Sequence, residues 1–358
     1  MKFLLRVAIK GLLLFALLNL LFIPRWELGT LSAYNGLVPG RPRFPFGEAP
    51  QQAYNFSLFD VEAMFAAHEV NQPKGEGEFR VLVLGDSSIW GTLLTPEQTL
   101  TGQLNAMQLT APDGRVMRFY NLGYPTISVT KDLMLLDRAL ATDPDLVIWA
   151  TTLEAMPWDK QLAVPLMENN PDRAIALTDK YGLPIPAQSF IRQPALWERT
   201  LIGRRKEIAD VLRLQVYGIL WAATGIDQYY PEEYPPAQVD LDPDPTFQSR
   251  EDWSEADLAF WALDAGKQAL GNVPLLVVNE PMLISTGKNS EIRYNFYYPR
   301  KVYDDYRAWM GEWADGAGVS YLDAWDIVPT EEFTNSAIHL NPTGTARLAE
   351  LIAQQLQN

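Results

Sequence analysis

The chain has no cysteine in its 358 residues. That absence excludes disulfides, thiol catalysis and Cys-ligated zinc together. Histidine is nearly as scarce, with His68 and His339 alone. A multi-histidine metal site needs more than that, so neither a metal nor a cofactor is expected. Positive charge is short as well: 29 Lys and Arg stand against 44 Asp and Glu, a net charge of −15. A chain of that sign repels phosphates instead of releasing their counterions, so nucleic acid is not an expected partner. What remains is ordinary for a globular protein, with 47% hydrophobic and 20% charged residues.

The amino terminus is different. Residues 3–24, FLLRVAIKGLLLFALLNLLFIP, are apolar apart from Arg6, Lys10 and Asn19. Arg6 and Lys10 can snorkel, which lets Phe3 to Ile23 span a bilayer. Small residues are missing where a signal peptidase would cut, since the flank reads Phe22-Ile23-Pro24-Arg25. An uncleaved signal anchor over 1–25 is favoured over a cleaved peptide. Lys2, Arg6 and Lys10 keep its start cytoplasmic, so the chain is expected to be single-pass with its bulk outside. A lead-in of residues 26–78 follows, rich in Gly, Pro and aromatics, with helical spacing at 58–70.

Strand-like apolar runs then alternate with helical spacing. The runs are FRVLVLG (79–85), RVMRFYNLG (115–123), DLVIWATT (145–152), VPLLVVNEP (273–281) and GVSYLDAW (318–325). Helices are expected from Thr95-Pro96-Glu97-Gln98 onward, at 130–142, 254–270 and 299–315, and from Asn341-Pro342 to about Gln355. This alternation means a parallel sheet covered on both faces. Residues 155–252 break it with PIPAQ, YYPEEYPP and DLDPDP, and read as an irregular lid or subdomain at the ligand-binding edge of the sheet. The division is therefore 79–154 with 272–358 as the α/β domain and 155–271 as the insertion.

Three segments at strand ends carry chemistry. Gly85-Asp86-Ser87-Ser88 places a serine at the mouth of the sheet near a helix start, and serine needs a base to act as nucleophile. Asn335-Ser336-Ala337-Ile338-His339-Leu340-Asn341-Pro342 supplies the one histidine of the α/β domain, just before a capped helix. Tyr120-Asn121-Leu122-Gly123 ends in a glycine able to present its N–H to an oxyanion. Trp90, Asn279, Glu280, Arg293 and Tyr294 lie near the same edge and are candidate substrate contacts. His68, within the helical spacing at 58–70, reads as a partly buried helix histidine.

GDSS (85–88), NLG (121–123) and HLNPTG (339–344), in that order, resemble the blocks of the SGNH/GDSL hydrolase family. The resemblance implies a flavodoxin-like three-layer α/β/α sandwich, with Ser87 as nucleophile and His339 as general base. It also implies an oxyanion hole containing the N–H groups of Ser87 and Gly123. Two positions depart from the family pattern. Glu154 stands where an oxyanion-donating Asn is expected, so Thr151 or Thr152 is the alternative hydroxyl donor. Ser336 stands where the triad Asp is expected. Asn335 can orient the imidazole instead through its carbonyl, with Asp323 or Asp326 as other candidates.

The leading expectation is a membrane-anchored serine esterase or deacylase acting outside the cytoplasm on an acyl ester. A sibling reading is O-acyl transfer to a cell-envelope glycan. The rival from another class is a catalytically inactive binding or accessory subunit on the same fold, with a protein partner. The Ser87–His339 geometry separates these classes.

Overall fold

The computed structural model describes residues 2–23, 40–48, 59–186, 192–226, 228–236, 252–288, 290 and 298–357. Helix α1 spans Lys2–Leu21. With a mean hydropathy of 2.1, it is the one helix among the described residues long and apolar enough to cross a membrane. Helix α2 is Val61–Ala67. The alternating order of strands and helices then begins with strand β1 (Glu78–Gly85), a one-turn helix α3 (Ser87–Trp90), α4 (Leu100–Ala106), β2 (Val116–Gly123), α5 (Val129–Ala139) and β3 (Leu146–Thr151). Helices α6 (Pro165–Asn169), α7 (Pro171–Tyr181) and α8 (Arg205–Thr224) follow. The chain ends with α9 (Phe260–Leu270), β4 (Leu275–Asn279), α10 (Arg300–Ala317), β5 (Ser320–Asp323) and α11 (Pro342–Gln357).

All five strands are parallel, in the order β2-β1-β3-β4-β5. This is the flavodoxin-like winding, and its switch point between β1 and β3 opens at the carboxyl ends of those strands. Side chains alternate across β1: Leu82 and Leu84 join one apolar cluster, Val81 and Val83 the other. The first cluster lies under α2, α5, α9 and α10, the second under α4 and α11. The result is the expected three-layer sandwich. Every side chain of β3 and β4 is buried, as central parallel strands require.

Several local expectations shift. The turn expected after Thr95 forms as a 3-10 turn over Pro96–Gln98, where the Gln98 side chain accepts from Thr95 N at 3.0 Å. The α-helix itself starts at Leu100 under a second cap, Thr99, which accepts from Gly102 N at 3.2 Å. Asn341 does cap the last helix, accepting from Gly344 N at 2.9 Å. The insertion is not irregular throughout, since α6, α7 and the 20-residue α8 all fall in it. Nor does its first part stand apart: Leu166, Met167, Ala174 and Leu177 join the main core cluster. Helix α9, assigned by sequence to the insertion, packs in that same cluster through Leu263 and Phe260. The described parts of the lead-in, 40–48 and 59–78, are built into the domain through Phe44, Val61, Met64 and Phe65, all in the main core cluster.

Candidate functional site

Strand β1 delivers Ser87 to the sheet mouth as the first residue of α3. Asp86 caps that turn, accepting from Ser88 N at 2.8 Å. As the first helical residue, Ser87 has no partner for its N–H within the helix. Across the mouth, the loop before α11 brings His339 down on the serine. His339 Nε2 lies 2.8 Å from Ser87 Oγ, and Nδ1 lies 2.7 Å from Asn335 Oδ1. A carbonyl oxygen can only accept, so Nδ1 carries the proton and donates to Asn335. Nε2 is then left to accept from the serine hydroxyl. Burial lowers the His339 pKa below the ordinary 6.5, against the pull of the Asp86 carboxylate. A neutral imidazole at neutral pH is the form that takes a proton.

Of the candidate acids, Asn335 is the one that meets the ring. Asp323 is committed elsewhere, accepting from Asn279 Nδ2 at 2.9 Å and from Arg307 Nε at 2.8 Å. Asp326 is exposed.

The oxyanion side needs correction. Gly123 N–H donates to Asn121 Oδ1 at 3.0 Å and is therefore not free for substrate. The glycine is needed for another reason. A Cβ there would stand 2.3 Å from Trp90 N, because α3 lies directly on the end of β2. Glu154 does not point an unpaired charge at the site either. Its carboxylate is held by the Lys160 ammonium and by the Tyr298 hydroxyl. Thr151 Oγ1 faces the Thr152 carbonyl at 3.4 Å. Thr152 Oγ1 is buried with no hydrogen-bond partner among the described residues, so its hydroxyl is uncommitted.

The expected substrate contacts fare poorly. Trp90 is buried, donates from Nε1 to Phe44 O at 2.8 Å and lies under the Arg43 guanidinium, 4.0 Å from its ring centre. It fastens the lead-in to the site. Asn279 is buried and bridges β4 to Asp323 and to Tyr303. Glu280 is buried behind the serine turn, where its Oε2 accepts from the Ser88 hydroxyl. Burial, and after it the nearby Asp86 charge, raise its pKa well above the usual carboxylate value. Arg293 and Tyr294 lie outside the described residues.

Sequence reading missed the groups that hold the serine turn. Asn121 donates to Ile89 O at 2.7 Å, satisfying a carbonyl that the short α3 leaves orphaned. The neutral His68 ring donates from Nε2 to Asn121 O at 2.8 Å and accepts from Val70 N at 3.0 Å. Arg43 donates to Gly91 O at 2.9 Å and Leu94 O at 3.0 Å, and its other nitrogen reaches Gln228 and Tyr230, each at 3.0 Å. Lys131, fully buried, donates to Gly85 O at 2.9 Å and Tyr124 O at 3.1 Å, and pairs with Asp132 at 2.5 Å. The one signal that could have revealed them is a charged residue inside an apolar run, as at Lys131-Asp132 in VTKDLMLL.

A cavity of about 390 Å³ adjoins the triad, lined by Tyr229, Glu233, Tyr234, Thr334 and Asn335 among others. A larger one of about 920 Å³, near Ile23 and the start of α8, contains no triad residue.

No protein-family model matches the chain, and no curated protein does. Among solved structures it is similar to the carbohydrate acetylesterase Est24 from Sinorhizobium meliloti, at 18% identity and a TM-score of 0.35. That match covers 78% of this chain and 98% of that one. It is also similar to an aryl esterase from M. smegmatis, at 17% identity over 78% and 98% with a TM-score of 0.34. A third is a putative lipolytic protein of the G-D-S-L family from Desulfitobacterium hafniense, at 12% identity over 77% and 98% with a TM-score of 0.33.

Proposed function

We propose that the chain is a serine esterase or deacylase that forms an acyl-enzyme at Ser87. The observation that carries this is the relay of Ser87 Oγ, His339 and Asn335, with spacings of 2.8 and 2.7 Å. His339 Nε2 takes the hydroxyl proton as Oγ bonds to the ester carbonyl carbon. The Ser87 N–H and the Thr152 hydroxyl are the proposed donors to the developing oxyanion. As the tetrahedral intermediate collapses, the imidazolium returns its proton to the leaving alkoxide. An incoming hydroxyl, activated by the same nitrogen, then releases the acyl group. Asn335 keeps the ring in the required tautomer without adding a charge.

Water as the incoming hydroxyl gives hydrolysis. A sugar hydroxyl gives O-acyl transfer to a cell-envelope glycan, the second reading. It is favoured by the aromatic wall of Tyr229 and Tyr234 on the cavity beside Asn335, a surface suited to a sugar ring. The histidine in register with the serine supports the enzyme reading over a non-catalytic scaffold. Helix α1 serves in this reading as a membrane anchor, with Lys2, Arg6 and Lys10 on the cytoplasmic side and the α/β domain outside.

The test is intact-mass analysis of the full chain in detergent after treatment with a fluorophosphonate. One adduct is expected, absent in Ser87→Ala and strongly slowed in His339→Ala. A folded wild-type protein that takes no adduct refutes the serine-enzyme reading. Product analysis with acyl esters, with and without sugar acceptors, then separates hydrolysis from transfer.

A further inference from the structure

Helix α8 is apolar on two opposite faces in its second half. Leu214, Gly218 and Trp221 face the protein and are buried. Leu212, Val216 and Leu220, at successive four-residue steps on the other side, are 63%, 61% and 56% exposed. From Leu214 to Ile226 the sequence LQVYGILWAATGI carries no charge. A helix with apolar residues all round needs a second apolar environment.

Two observations identify that environment. The first is position. Asn19 is the one buried residue of α1, and its Oδ1 accepts from Ile202 N at 3.1 Å. The start of α8 is thereby fixed to the outer end of the proposed anchor. The second is charge. Residues 199–213 hold Arg199, Arg204, Arg205, Lys206 and Arg213 against Glu207 and Asp210, a basic stretch in a chain of net charge −15. A basic collar followed by an exposed apolar face is the pattern of a helix lying in the headgroup region of a bilayer.

We infer that α8 rests in the outer interface of the membrane that α1 crosses, with Leu212, Val216 and Leu220 among the lipid chains. This inference rests on the anchor reading of α1. It also locates the reaction. Twenty residues of helix span about 30 Å, and just beyond them Gln228 is held by Arg43 and Tyr229 enters the cavity beside Asn335. The cavity is then presented one helix length from the anchor, close to the lipid surface.

The absence of cysteine allows a direct test. The full chain is reconstituted in vesicles of phosphatidylcholine and phosphatidylglycerol with one spin-labelled cysteine at a time: Leu13→Cys, Glu207→Cys, Arg213→Cys, Val216→Cys or Leu220→Cys. Collision rates with oxygen, which partitions into lipid, are compared with those of a water-soluble nickel chelate. The expected result is a several-fold higher oxygen-to-nickel ratio at 13, 216 and 220 than at 207. Nickel access at 216 and 220 with shielding kept at 13 overturns the inference and leaves the anchor standing. Nickel access at 13 as well overturns both. Shielding of 216 and 220 from oxygen and nickel alike, with spin–spin broadening that grows with protein density, also overturns it, because a second copy would then cover the face.

Discussion

The two sides of the proposed catalytic mouth are built differently. The serine side is held by buried charged and polar groups drawn from distant parts of the chain: Arg43, His68, Asn121, Lys131 and Glu280. The histidine side is a surface loop in which the exposed amide of Asn335 orients a half-buried ring. The difference follows from what each must do. A nucleophile on a one-turn helix leaves backbone carbonyls unsatisfied inside the protein, and each needs a donor. In the proposed mechanism the base must accept and return a proton, a task that suits a neutral, modestly tethered imidazole. Damage on the serine side should therefore appear first as lost stability, and damage on the histidine side as lost rate.

The largest effect on this contrast is expected at Lys131. Its ammonium ties Gly85 O to Tyr124 O and neutralises Asp132, all in the interior. Lys131→Met should cost about 3–5 kcal/mol, the usual penalty for breaking a buried ion pair by removing one partner. The measurement is the urea midpoint of the full chain in detergent, with the slope unchanged. Adding Asp132→Asn should recover part of the loss, because the stranded carboxylate is then gone. A Lys131→Met protein as stable as the parent would remove the ion pair from the account of the serine side.

His68 gives the next effect, and it depends on pH. Full burial lowers its pKa from the ordinary 6.5 to about 4, outweighing the hydrogen bond to Asn121 O. Between those values the unfolded chain binds a proton that the folded chain refuses. Stability is therefore complete above pH 6.5 and falls as pH drops towards 4, by about 3 kcal/mol from this group. His68→Asn should start less stable at neutral pH but show a flatter decline across that window. Equal slopes in the two proteins would mean that other groups set the acid sensitivity.

These groups explain why the sequence was only partly legible. The strands were readable because continuous apolar runs such as LVIWAT have no other stable home than the middle of a covered sheet. Ser87 was readable because it stands at the end of such a run, whereas Asn335 and His339 lie past β5 on the loop before α11 and were readable only from the HLNPTG motif and its helix cap. Gly123 was misread because its spacing is the same whether the N–H faces substrate or Asn121; only the side-chain bond at 3.0 Å decides. Lys131 stood out as a charge in an apolar run, but what it and Arg43 hold was not readable, since Gly85 O and Gly91 O lie 46 and 48 residues away from them. The insertion was misjudged for another reason. The proline-rich segments that carried the irregular reading do stand outside helices at Pro184, Pro231 and Pro235, but α6, α7 and α8 occupy the stretches before and between them.

The smallest expected effect tests the histidine side alone. Asn335 offers Nδ1 a neutral acceptor at 2.7 Å on an exposed loop. Asn335→Ala removes that acceptor and should slow kcat by about ten- to a hundredfold, the value of one hydrogen bond to a group that becomes charged. The urea midpoint should barely move, in contrast to Lys131→Met. Asn335→Asp instead places a carboxylate beside the ring. It favours the imidazolium, so the His339 pKa rises from its depressed value and the acid limb of kcat/KM moves to higher pH. On the alkaline side of that limb the rate should equal or exceed that of the parent, by up to about tenfold, because the ion pair stabilises the charge formed in the transition state. An acid limb that stays in place in Asn335→Asp would mean that the amide does not touch the ring during turnover. The base would then be working with Ser87 as a two-residue pair.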